Sequence, residues 1–230
     1  MINDFLHLLD KNKYKFIISI FSVYIVLIIS LFFIYFEEHL DFNINEEINN
    51  FIILSLPVFI GMVIFPLLIS RIVGIKLNKF SFINISTITI ILLLIACLVT
   101  VFKFRNGSVG MDIILNTCII AFSEEYLFRY FLLNNSGSNK KERRLMLLLS
   151  SLIFAFIVHN NEPLLNNLLI RFPMGITLGY IYTKTEKIDY SILIHYIYWT
   201  YVNIVDTFFR FFLCYFISFS YLTFFRSNIT

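Results

Sequence analysis

The feature that most constrains this chain is a succession of apolar runs, each long enough to approach a bilayer span. They begin near Lys15, Phe51, Ile83, Met111, Leu145, Leu164, Tyr190 and Thr207, with short polar or charged connections between them. Of the 230 residues, 59% are hydrophobic and 14% are charged, more apolar side chain than a soluble domain of this length can cover, so the expected solvent is lipid. The pattern predicts an all-α, polytopic helical membrane protein with about eight transmembrane segments. The first run follows Lys11, Lys13 and Lys15 as a signal peptide would, but it extends through Phe36 without a small-residue cleavage site. It reads as a retained first span. No internal repeat or linker divides the chain, which is treated as one membrane unit with N-terminal spans over 1–110, a core over 111–206 and a last span over 207–230.

Basic residues favour cytoplasmic loops, and here they alternate. One set of loops holds Lys11, Lys13, Lys15; Arg71, Lys76, Lys79; Lys140, Lys141, Arg143, Arg144; Lys184, Lys187; and Arg226. The opposite set holds Lys103, Arg105 and Arg210, and its first loop, from Glu37 to Glu47, is acidic. An even number of spans with both termini cytoplasmic follows, in a cell membrane. The net charge of +3 is scattered, without an aromatic-interleaved basic patch, so a nucleic acid partner is not expected. Cys97, Cys118 and Cys214 are far apart in apolar runs and form neither a disulfide framework nor a metal-ligand pair.

Against this background the stretch AFSEEYLFRY, residues 121–130, stands out because it packs two carboxylates and a guanidinium into six positions. Residues four apart share a helix face, so Glu125 and Arg129 are placed to pair, with the acid N-terminal to the base. Glu124 is turned about 100° from that pair and is left as a spare carboxyl. A triad that only locks helices together is the structural alternative, but ionisable groups at membrane depth are functional candidates by default. His159, in FIVHN, and His195, in SILIHYIYW, also lie in apolar surroundings. One glutamate and two histidines can activate a water, with the carboxylate as general base, or supply three ligands to zinc.

Two segments look irregular. Leu145 to His159 gives only about 22 Å of helix against a hydrocarbon core of about 30 Å, and HNNEP with Arg171 to Pro173 places polar backbone and a charge at membrane depth. The loop parity sets His195 about 8 Å from the cytoplasmic end of its helix, whereas His159 climbs about 22 Å. Tilt, a late start of the fifth helix or a broken sixth helix has to close that difference.

SEEYLFR resembles the EExxxR motif of the CAAX prenyl protease and bacteriocin-processing family of intramembrane proteases, also called Abi or type II CAAX endopeptidases. SSLIFAFIVHN is similar to that family's second motif, and MGITLGYIYTKTEKIDYSILIHYIYW to its third, so the resemblance covers about Met111 to Asn203. It implies that Glu124 and His159 activate the attacking water, that Glu125 and Arg129 support them, and that His195 binds the developing oxyanion. The older description of the family as metalloproteases would make Glu124, His159 and His195 zinc ligands; otherwise no cofactor is expected. The implied partner is a peptide or membrane-anchored protein substrate within the bilayer. Three positions depart from the family pattern. Tyr130 stands where Gly often follows the arginine, which implies looser packing of the fourth helix there. Ala155 stands four residues before His159, where the family has Phe, with Phe154 and Phe156 on either side. Trp199 stands four residues after His195, where the family has Asn or Asp, and Asn203, a further turn along, is the nearest substitute. Trp offers one N–H and no acceptor. The rival reading is therefore a weak or inactive family member that acts in bacteriocin self-immunity or as a membrane scaffold or regulator.

Overall fold

The computed structural model describes residues 2–40, 49, 51–77, 111–134 and 140–202. The apolar runs near Ile83 and Thr207 lie outside the described residues, as do Asn203, Asp206, Arg210, Cys97 and Cys214. Every element among the described residues is helical. Helix α1 is Ile2–Leu40 and α2 is Phe51–Val73; α3 is Met111–Glu125 continued by Tyr126–Phe131. Helix α4 is Lys140–Ile153 continued by Phe154–Val158; α5 runs through Leu164–Asn166, Asn167–Arg171 and Phe172–Thr185; α6 is Ile188–Val202. Two stretches, Asp10–Phe36 and Phe51–Val73, are by themselves long and apolar enough to cross a membrane. Helix α1 turns Phe21, Tyr24, Leu27, Ile28, Leu31 and Phe32 outward, more than half exposed, an apolar surface suited to lipid.

Five turns in these helices are widened to the i→i+5 form, and proline accounts for three of them. A proline inside a helix removes one hydrogen bond and clashes with the carbonyl four residues earlier, and a wide turn relieves that clash. Pro57, Pro66 and Pro173 each sit two residues after such a turn, namely Phe51–Ser55, Ile60–Ile64 and Asn167–Arg171. The remaining two, Tyr126–Phe131 and Phe154–Val158, have no proline behind them. Both flank the charged stretch.

Small residues set the helix spacing. A Cβ on Gly61 would lie 2.5 Å from Val26 Cγ2 and 2.9 Å from Ser22 O, so α2 rests directly on the backbone of α1. Gly175 and Gly179 face Ser151 and Leu147, which makes the GxxxG of α5 a contact with α4 within this chain. The core between these helices is built on Leu127, Phe128, Phe131, Leu132, Met146 and Phe154, all fully buried.

Polar contacts fix the vertical register. Lys15 Nζ donates to Asn134 O, Lys11 lies 3.9 Å from Glu142, and Asn134 Nδ2 donates to Tyr182 OH at 3.4 Å. The basic clusters Lys11–Lys15, Lys140–Arg144 and Lys184–Lys187 therefore gather at one end of the bundle. Helix α5 closes with Glu186 in a left-handed conformation (φ 55°), its N–H on Tyr182 O at 2.7 Å, and α6 begins after Lys187. Ser191 Oγ then donates to Leu178 O at 3.0 Å, so α6 starts already sunk well into the bundle. That offset of α6 brings His195 toward the depth of His159, although α4 starts early, at Lys140, and not late.

Candidate active site

Glu124 and Glu125 end the regular part of α3, and Arg129 follows in its wide turn. Arg129 is completely buried, with Nε 3.2 Å from Glu125 Oε2 and Nη1 donating to Ser150 Oγ at 3.3 Å. Ser150 in turn donates to Phe128 O at 2.9 Å, which ties α4 to α3 beneath the charged groups. The Nε–H is not aligned on the carboxylate, so the contact is an ion pair without a well-directed hydrogen bond. The pair expected from the four-residue spacing is present. A second partner of Glu125 was not foreseen: His195 Nδ1 lies 2.9 Å from Glu125 Oε1. An ionised carboxylate only accepts, so with Glu125 ionised Nδ1–H is the donor and Nε2 is the free edge of the ring.

Glu124 occupies the space between the two histidines. Its Oε1 is 3.9 Å from His159 Nε2 and its Oε2 is 3.6 Å from His195 Nε2. Glu124 Oε2, His159 Nε2 and His195 Nε2 are all buried, and none has a hydrogen-bond partner within the protein. Three polar atoms from α3, α4 and α6 thus converge on one spot.

His159 lies just beyond α4, with φ −101° and ψ 36°. Its carbonyl accepts from Glu162 N at 3.1 Å and from Asn167 Nδ2 at 2.7 Å. Asn167, buried at the start of the wide turn of α5, is a clamp that the sequence did not single out. Phe154 is the hub of the arrangement. Its ring meets His159 at 5.0 Å and His195 at 5.9 Å, both nearly edge to face, and Arg129 lies 5.3 Å over it. The phenylalanine expected four residues before His159 is here five before it, and the wide turn Phe154–Val158 accommodates the extra residue. Tyr130 is buried within the other wide turn, its ring 5.2 Å from that of Tyr126.

Trp199 does not touch Glu124 or His159 through any polar contact; its ring lies under the Arg171 guanidinium at 4.3 Å, and its buried Nε1 has no hydrogen-bond partner. Arg171 also donates to Glu162 Oε1 at 3.3 Å. As the side chains stand, no three His, Cys, Asp or Glu groups among the described residues close into a metal-ligand set. Glu124, His159 and His195, the zinc ligands of the metalloprotease alternative, are therefore not arranged as ligands as they stand, and Glu125 orients His195 from behind.

The bundle buries Glu124, Glu125, Arg129 and His195 together, with His159 half-buried beside Glu124. Residues 91–201, just under half of the chain, match the family model of the type II CAAX prenyl endopeptidase Rce1-like proteins, the family that the motifs resemble. No curated protein and no solved structure matches the chain.

Proposed function

We propose that the protein is an intramembrane endopeptidase that hydrolyses a peptide bond in a membrane-associated or peptide precursor by a water held between Glu124 and His159. The observation that carries this reading is the convergence of Glu124 Oε2, His159 Nε2 and His195 Nε2, buried and without partners in the protein. A carboxylate and an imidazole 3.9 Å apart are too far for a direct hydrogen bond, while one water can reach both. Its two hydrogens directed at Glu124 and His159 leave a lone pair free to attack. As the water oxygen bonds to the carbonyl carbon, its proton passes to Glu124 and the carbonyl π pair moves onto oxygen. Collapse breaks the C–N bond, and Glu124 returns the proton to the leaving nitrogen. His195 Nε2 can donate to the oxyanion only when the ring carries both protons, because Nδ1–H is already committed to Glu125. The positive ring then sits between Glu125 at 2.9 Å and Glu124 at 3.6 Å.

No step is routed through zinc. The purified protein in detergent is the material for the test, with internally quenched prenylated and unprenylated peptides as probes. Wild type should cleave at least one, Glu124→Ala and His159→Ala should each lower kcat/KM by at least about 100-fold at equal folding, and chelators should have no effect. Reversible loss on chelation would transfer the three side chains to a metal. Cleavage retained by both variants would remove Glu124 and His159 from the chemistry, whereas no cleavage by wild type would leave the immunity or scaffold role that the substitution at Trp199 favours.

A further inference from the structure

Three cations are buried among the described residues: Lys15, Arg129 and Arg171. Lys15 bonds to Asn134 O at the far end of the bundle, and Arg129 faces Glu125. Arg171 differs from both. Its carboxylate partner, Glu162, has a side chain 33% exposed, whereas the Arg171 side chain is 9% exposed, and its charge acts on both Glu124 and His159. It is presented by the end of the wide turn Asn167–Arg171, whose first residue, Asn167, clamps the His159 carbonyl. Its planar face rests on the Trp199 ring at 4.3 Å. Trp199 is one helical turn beyond His195 and shares its side of α6, so the guanidinium on the indole lies on the side of α6 from which His195 faces Glu124.

We propose that Arg171 is a further catalytic residue, the second positive group that meets the negative charge developing on the substrate carbonyl oxygen, and that Trp199 is the positioning residue that holds it there. This rests on the peptidase reading above. A guanidinium braced by stacking on one side and by Glu162 on the other is ordered before substrate arrives. Electrostatic stabilisation is most effective when its donors need no reorganisation. A tryptophan at this place therefore has a function of its own: it supplies the platform for a charged donor.

The test is steady-state cleavage of the quenched peptide by purified full-length variants. Arg171→Gln should lower kcat roughly 100-fold with KM changed little, as for loss of one oxyanion donor, and Arg171→Lys should recover part of that loss. Trp199→Phe, which keeps an aromatic face, should fall less than tenfold, whereas Trp199→Leu should approach Arg171→Gln. Trp199 is the single tryptophan, so its emission reports the stacking directly: Arg171→Gln should shift it while thermal unfolding shows that the protein is folded. Wild-type kcat in a folded Arg171→Gln variant would overturn the proposal and leave the peptidase reading standing. Absence of cleavage by wild type would remove the peptidase reading and this proposal together.

Discussion

Glu125 answers to two partners at once, Arg129 at 3.2 Å on its own helix and His195 at 2.9 Å from a helix 70 residues further on. Glu124, its neighbour, has a carboxylate oxygen with no partner in the protein. The two substitutions to glutamine should therefore have opposite profiles. Glu125→Gln leaves a fully buried guanidinium facing a neutral amide and should destabilise the protein by about 3 kcal/mol, read as the midpoint of thermal unfolding in detergent. Glu124→Gln removes a buried carboxylate whose contacts to His159 and His195, at 3.9 and 3.6 Å, are too long for hydrogen bonds, and it should leave the midpoint within the equivalent of about 1 kcal/mol while abolishing cleavage. Equal shifts in the midpoint would reject this division of roles. The Arg129 side of that pairing was legible because residues four apart on a helix meet whatever the fold. The His195 side was not, since nothing local relates positions 125 and 195. Trp199 was legible as a departure from the family pattern, but its cation–π contact with Arg171 belongs to the packing of α5 on α6.

Helix existence was legible in the long apolar runs among the described residues: six of the eight expected runs coincide with described helices, and the other two lie outside the described residues. The short fifth run is lengthened into a longer helix because α4 takes the charged residues Lys140 to Arg144 into its first turns. The feature that the sequence pattern obscured is the phase of the helix. Counting by fours puts Ala155 in the place of the expected phenylalanine, yet a turn of five residues presents Phe154 to both histidines. Proline marks three of the five wide turns in advance, and the two at the site carry no such marker. Wide turns without a proline are retained against their poorer hydrogen-bond geometry and occur frequently at functional positions. Here one presents Arg129 and the other Phe154.

At the scale of the molecule, Lys15 on Asn134 and Lys11 beside Glu142 draw the basic clusters to one end of the bundle. If that end is cytoplasmic, an impermeant thiol reagent on intact cells should modify a cysteine placed at Asn45 and spare one at Ser138, in a background where Cys97, Cys118 and Cys214 are Ser; the reverse pattern would invert the orientation. The site exists only in the assembled bundle, because its three converging atoms come from α3, α4 and α6. If Glu124 and His159 hold the same water, neither is useful without the other. A double-mutant cycle on kcat/KM measures this directly. Glu124→Ala and His159→Ala should each cost at least about 100-fold, and the double variant should be no more than a few-fold worse than the poorer single variant. Losses that multiply in the double variant, or a double variant that cleaves at the wild-type rate, would contradict a single water held between the two.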